Sequence, residues 1–193
     1  MASTAAAAQA VPSPGVWKLD AAHHNVGFVA RHLMVTKVRG RFTDVDGVIR
    51  IAERPEDSSV TIRIGAASID TGSPDRDAHL RSPDFLEVER YPELRFTSTK
   101  VEVTGPTTLK LSGDLTVRDV TRPVVLDVGY EGLSRGPQGD ARVGFSARTR
   151  IDREDWGLTW NVGLETGGWL VSKEVDLEID VELKQDQPVE KVA

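Results

Sequence analysis

Glu174-Val175-Asp176-Leu177-Glu178-Ile179-Asp180-Val181-Glu182-Leu183 sets an acid against an aliphatic residue at every second position. A period of two is that of a β-strand with one face buried and the other wet, and no helix gathers its apolar residues on one side with that spacing. Working outward, the same period recurs. Val143, Phe145, Ala147, Thr149 and Ile151 alternate with Arg142, Ser146, Arg148 and Arg150. Val124, Leu126, Val128 and Tyr130 form one face of the preceding strand, and the long Gly/Pro segment 132–140 reads as the hairpin loop between the two. Further back, Leu109, Leu111, Leu115 and Val117 share a face, as do Leu94 and Phe96, and Val60, Ile62, Ile64 and Ala66. Near the start, Val26, Phe28 and Ala30 do the same, and 39–51 reads as one strand in which Gly40 and Gly47 mark places where a side chain would obstruct. About eight strands at hairpin spacing, each with one apolar face, predict an all-β antiparallel barrel or sandwich. Periodicity does not choose between the two, although an eight-stranded barrel has room for one small ligand or its own packed side chains.

One stretch breaks the rhythm. Asp75-Arg76-Asp77-Ala78-His79-Leu80-Arg81-Ser82-Pro83-Asp84-Phe85-Leu86 is a polar helical insert with a compact apolar patch of Leu80, Phe85 and Leu86. It is expected to cap one end of the sheet structure, with Arg76, Asp77 and Arg81 in water or tied to the rim. Pro83 disfavours helix at Ser82, so the helical part should stop there and the chain from Asp84 should run on as an extended flap.

Composition excludes several classes of function. The 193 residues, 39% hydrophobic and 28% charged, suffice for a core without disulfides or a structural metal. The absence of cysteine removes thiol catalysis and Cys-ligated zinc. A net charge of −6 with no run of Lys and Arg argues against nucleic acid and against anionic membrane surfaces. No apolar run is long enough to span a bilayer, so stable membrane insertion is not expected. The segments 1–15 and 185–193 read as disordered tails around one domain, 16–184. The alanine-rich start lacks a basic n-region and a good apolar core for export, so a cytoplasmic protein is expected, with a homodimer allowed.

Recognisable chemistry is sparse. His24 and His32 share strand parity and could be joined by Asp20 as metal ligands, but eight residues of strand hold two rings far apart. Hydrogen-bonded structural histidines are the better reading, with no metal and no cofactor. Asp152, Glu154 and Asp155 read as a solvated turn, and no nucleophile elbow, phosphate loop or dinucleotide fingerprint occurs. The acidic face of 174–183 reads as the solvent side of a strand. Trp156, Trp160 and Trp169 crowd one region, where they either close an end by packing together or line the mouth of an apolar pocket.

Taken in order, several motifs resemble one family. Trp17-Lys18-Leu19-Asp20, His23, and Val26 with Phe28 open the series, followed by His32-Leu33-Met34-Val35 and Val38-Arg39-Gly40-Arg41-Phe42. Ser68-Ile69-Asp70-Thr71 leads into Arg76-Asp77 and His79-Leu80-Arg81-Ser82-Pro83-Asp84-Phe85-Leu86, then Tyr91-Pro92 with Leu94 and Phe96. Gly113-Asp114-Leu115-Thr116-Val117 and Val120-Thr121-Arg122-Pro123-Val124 complete it. From Trp17 to Leu183 the chain is similar to the YceI-like, polyisoprenoid-binding proteins. That resemblance implies an extended antiparallel, lipocalin-like barrel holding a polyprenyl or isoprenoid-quinone lipid for sequestration or transport, without catalysis. Strand parity then nominates Phe28, Ile62, Ile64, Phe96, Leu115 and Phe145 as the apolar lining, and Leu80, Phe85 and Leu86 as the lid. The competing expectation is an enzyme on a small lipophilic substrate, with His23, His32 or His79 as acid–base. A third is a scaffold whose interior is filled by its own side chains.

Overall fold

A computed structural model describes residues 12–165 and 167–185. The strands are β1 (Gly15–His32), β2 (Thr36–Phe42), β3 (Val45–Ile51), β4 (Ser59–Gly65), β5 (Ile69–Asp70), β6 (Glu93–Val103), β7 (Thr108–Val117), β8 (Val120–Arg135), β9 (Ala141–Asp152) and β10 (Glu174–Gln185). Helix α1 (Pro74–Arg81) lies between β5 and β6. Pairing runs β10-β9-β8-β7-β6-β4-β3-β1, and β10 pairs back onto β1. The result is a closed antiparallel barrel of eight strands, and closure removes the sheet edges.

β1 closes the ring because it is long. Over its 18 residues it pairs with β10 on one side, and on the other with β3 through Gly15–Lys18 and with β2 through Val26–His32. β2 therefore leaves the ring as a ribbon continuing β1, and β5 pairs with its last two residues. The single strand expected over 39–51 is thus two. The chain bends at Thr43 and Asp44 because both are drawn to the β4–β5 connection: Thr43 N–H donates to Ser68, and Gly65 N–H donates to Asp44 O at 2.8 Å. Likewise the expected loop over 132–140 is shorter. β8 runs on to Arg135 through a bulge between Tyr130 and Gly132, leaving only 136–140 as loop.

Two clusters fill the molecule. Trp17, Ile49, Val143 and Leu183 pack one end shut, and Trp17, Val143 and Leu183 are fully buried. The larger cluster, including Val45, Ile64, Leu94, Phe96, Leu115, Leu126 and Val128, occupies the middle and the opposite end, where it meets Leu86 and Trp156. Long side chains cross the interior over glycines. A Cβ on Gly47 would lie 2.4 Å from Ile62 Cδ1, and one on Gly40 would lie 2.3 Å from the Phe28 ring. Glycine there is a requirement of close approach.

Of the tails expected at 1–15 and 185–193, most lies outside the described residues. Gly15 and Gln185 are already strand.

Candidate functional site

Register decides which side chains look inward, because directly opposed residues share a face. Phe28 opposes Leu177 and Gly40, Val26 opposes Ile179, and Ile179 opposes Ala147, which in turn opposes Val128. Across the ring, Ile62 opposes Phe96, which opposes Leu115. All of these except Gly40 belong to the main cluster or pack against it. The interior is therefore apolar right round. It is not evenly filled, however. On β6, β7 and β8 the inward Leu94, Phe96, Leu115, Leu126 and Val128 are buried, with Leu109 and Leu111 partly so. On β1, β9 and β10 the inward Val26, Phe28, Phe145, Ala147, Leu177 and Ile179 pack against the core and stay only partly buried.

The nominated residues fall as follows. Ile64, Phe96 and Leu115 are buried, while Phe28, Ile62 and Phe145 are half-buried against the cluster. Leu80 also packs against it and Leu86 is part of it. Phe85 is buried elsewhere, in an aromatic group with His79 (5.1 Å between centroids) and Trp160 (5.4 Å). Parity did not single out Leu109, Leu111, Leu177 and Ile179, although each is on the apolar side of a clean alternation and packs against the same core. A cleft of about 340 Å³ where β1, β2 and β5 meet has Phe28, Gly40, Thr71, Arg39 and Arg41 among its walls.

The insert sits over the end opposite Trp17. α1 stops at Arg81, as Pro83 requires, but the chain beyond is not an extended flap. Phe85 N–H donates to Ser82 O, Glu87 N–H to Ser82 O and Leu86 N–H to Leu80 O, so 82–91 coils as consecutive turns. This coiling carries Phe85 and Leu86 inward together. The polar residues of the helix tie it down. Buried Asp77 accepts from Thr71 N–H at 2.9 Å and from Thr71 Oγ1, Arg76 donates to Thr71, and Arg81 donates to the carbonyls of Ala67 and Ile69.

The three tryptophans divide. Trp156 is buried and its Nε1–H donates to Leu115 O at 3.0 Å, closing the core; Trp160 stacks edge-on with His79; Trp169 stays exposed. Beside Trp156, Arg153 is buried with its Nε donating to Ser172 O and Nη1 to Leu158 O, and its guanidinium carbon lies 5.9 Å from the Phe85 ring centre. Burial pushes this guanidinium below the ordinary arginine range, against the pull of Glu154 and Asp152. Nη2 has no hydrogen-bond partner among the described residues.

The histidines do not converge. His24 opposes Val181 in mid-strand and His32 opposes Thr36 at the β1–β2 turn. His79 bonds Asp84 through Nε2 at 2.8 Å. One cluster among the described residues has metal-ligand proximity: Asp20, His23 and Glu182. Cations already occupy it. Lys184 Nζ and Arg142 Nη1 reach Asp20 Oδ2 at 2.9 and 3.0 Å, and Arg142 also bonds Asp140 and Glu182. Burial alone would raise the Asp20 carboxyl. The hydrogen bonds from Lys184, His23 and Ala22 N–H outweigh burial and hold it well below the usual carboxylate range. This is an ion network that pins the β1 irregularity between Leu19 and His24 to β9 and β10.

A closed antiparallel barrel with an apolar interior, shut at one end and capped at the other, defines a protein of lipocalin-like architecture. The YceI-like domain model matches residues 17–183, and this chain belongs to that family. Among curated relatives, a UPF0312 protein of Pseudomonas savastanoi pathovar phaseolicola is 34% identical over 177 residues, covering 91% of this chain and 88% of its own. One from Photorhabdus laumondii is 37% identical over 161 residues, covering 83% and 80%. Among solved structures, the Campylobacter jejuni YceI protein superposes with a TM-score of 0.70 at 29% identity, covering 81% of this chain and 90% of that one. A polyisoprenoid-binding domain from Saccharophagus degradans shares the fold, with a TM-score of 0.69 at 18% identity, covering 88% and 98%.

Proposed function

We propose that this protein encloses a long isoprenoid chain, of polyprenyl or isoprenoid-quinone type, inside the barrel, and sequesters or carries it without chemical change. The observation that carries this reading is the uneven interior. The inward apolar residues of β1, β9 and β10, with Phe28, Phe145, Leu177 and Ile179 among them, face an interior that the protein's own side chains leave partly uncovered. Water against such a wall is costly, and a hydrocarbon tail that displaces it gains about 0.8 kcal/mol per buried CH₂. A tail of several isoprene units therefore needs no strong polar anchor, in keeping with the sparse polar chemistry of the interior. The polyisoprenoid-binding domain with the same fold supports the class of ligand. On this reading Phe28, Ile62, Ile64, Phe96, Leu115 and Phe145 line the bore, and Leu80, Phe85 and Leu86 form the lid.

Native mass spectrometry of freshly purified protein, followed by organic extraction, tests it. A co-purifying lipid whose fragments show isoprene spacing is the expected result. Protein that is lipid-free and takes up no added polyprenol overturns it. A second, enzymatic reading would draw on the His79–Asp84 pair at the capped end. Conversion of an added polyprenyl ester or quinone, abolished in His79→Gln, would establish that reading instead.

A further inference from the structure

At the capped end, the β1–β2 turn has an unusual composition. Val35 N–H donates to His32 O at 3.1 Å, and the two central residues, Leu33 (φ 52°) and Met34 (φ 61°), both lie in the left-handed region. A turn whose two central residues are both left-handed is normally built from Asn and Gly, because bulky side chains are strained there. Here the strained positions hold two large apolar residues, and both are exposed, as is Val35 at 77%. A second small hairpin lies alongside: Leu170 N–H donates to Val162 O, and Leu33 N–H donates to Leu170 O at 2.8 Å. Its Val162 and Trp169 are exposed too. Two loops distant in sequence thus meet, a Cβ on Gly168 lying 3.6 Å from Met34 Cγ, and leave Leu33, Met34, Val35 and Trp169 exposed around the contact.

Behind this contact the charge is positive. Arg31 opposes Lys37 and Val29 opposes Arg39, so Arg31, Lys37 and Arg39 share the outward face of the β1–β2 ribbon. All three are exposed. Two acids of β10 lie toward this row: Asp176, engaged by Arg150 at 2.6 Å, and Glu178, which shares a cleft with Arg39 and Arg41. Arg41, next along the row, pairs with Asp70 at 3.6 Å. Glu165 is the one acid of the second hairpin. In a chain of net charge −6 this patch runs against the average. The sequence holds no run of Lys and Arg, and it is strand pairing that sets Arg31 beside Lys37 and Arg39.

We propose that this end of the molecule docks on an anionic phospholipid bilayer, with Leu33, Met34, Val35 and Trp169 entering the boundary between headgroups and acyl chains and Arg31, Lys37 and Arg39 against lipid phosphates. Cations on an open strand edge can serve merely to prevent sheet-to-sheet pairing, but that leaves the strained apolar turn unexplained. Scattered exposed aliphatics need no explanation, whereas a strained apolar turn with an exposed tryptophan alongside and a basic face behind it forms the amphipathic pattern of interfacial binding. Arg39 and Arg41 also wall the cleft that Phe28 lines, which places the docking face beside that cleft. Docking does not depend on what the barrel holds.

The experiment is co-sedimentation of the full chain with phosphatidylcholine vesicles, with and without phosphatidylglycerol, at low and high salt, with no isoprenoid present. Binding is expected only with phosphatidylglycerol, is weakened by salt, and is accompanied by a blue shift of tryptophan emission that Trp169→Phe removes. The double variant Lys37→Glu with Arg39→Glu should lower partitioning roughly tenfold or more, since each basic residue near an anionic surface matters on that scale. Val35→Glu should lower it comparably, with far-ultraviolet circular dichroism unchanged in both. No binding, equal binding to both vesicles, variants that bind like the parent, or a dimer in solution that the Val35→Glu change dissociates would each overturn the proposal. None of these outcomes bears on whether a lipid co-purifies, so the two readings fail separately.

Discussion

Asp20 is a buried carboxylate held in its ionised form by Lys184, His23, Arg142 and Ala22 N–H. Its folded-state pKa lies below the unfolded value, so the stabilisation it gives is complete above the ordinary carboxylate range. That stabilisation is lost as pH falls toward the folded value. Asp20→Asn is expected to cost about 1–3 kcal/mol at neutral pH, the range for hydrogen bonds to a charged group. The gap between parent and variant should then close as pH drops below about 4, where the unfolded carboxyl is protonated. Urea unfolding across that range measures it, and a gap constant down to strong acid would show that the network acts only through shape. Ile62 is a different case. It is half-buried, crosses Gly47 and packs against both clusters, at the junction between the packed end and the open interior. Ile62→Glu should fold, with its carboxylate in the uncovered part of the bore, and should lose lipid uptake, because a charge facing a hydrocarbon tail is costly. A folded variant that still extracts a full complement of polyprenol would remove Ile62 from the lining.

The insert shows how far local sequence carries at the scale of an element. Pro83 and the polar run before it were enough to place the end of α1 at Arg81. They were not enough to show that 82–91 coils, because its turns depend on backbone hydrogen bonds to Ser82 and Leu80 that no side-chain pattern encodes. The same limit explains the strand errors. The bend at Thr43 and Asp44 is made by Ser68 and Gly65, and the longer β8 depends on a bulge opposite Gly144, both of which are tertiary events. Within the cap, Phe85 and Leu86 are neighbours with different surroundings. Leu86 belongs to the main core, whereas Phe85 contacts His79, Trp160 and Arg153 outside it. Leu86→Ala is therefore expected to lower stability by about 2–5 kcal/mol, with lipid release little changed. Phe85→Ala should speed release of a fluorescent polyprenyl analogue in a stopped-flow chase by more than its loss of stability accounts for. Release that changes no more than the loss of stability accounts for, in both variants, would mean that the insert is core and gates nothing.

For the whole molecule, the step from strands to barrel was the one that periodicity left undecided. Closure rests on β1 meeting β10 across nearly the full chain, and two-residue alternation is the same in a sandwich. The acidic row of β10 likewise looked like a bare solvent face. In the barrel it lies beside Arg148 and Arg150 on β9, and Arg150 bonds both Asp176 and Glu174, so the stripe is partly neutralised from that side. Parity alone set Phe28, Ile62, Ile64, Phe96, Leu115 and Phe145 on the apolar side, and all six belong to the core or pack against it. What parity cannot convey is how completely the interior is filled. A barrel that leaves the inner faces of β1, β9 and β10 partly uncovered has an empty state that is less stable than its loaded one, because ligand binds only the folded form. At free ligand about a hundredfold above its dissociation constant the gain is about 2.7 kcal/mol. For a domain of this size that corresponds to a rise of roughly 5–10 °C in the unfolding midpoint. Delipidated protein, scanned by calorimetry with increasing polyprenol, should show a midpoint that climbs with ligand and does not plateau at saturation. Farnesol, with far fewer methylene equivalents to bury, should need a much higher concentration for the same shift. A midpoint indifferent to both would mean that the interior accepts no tail, and would leave the barrel as a scaffold filled by its own side chains.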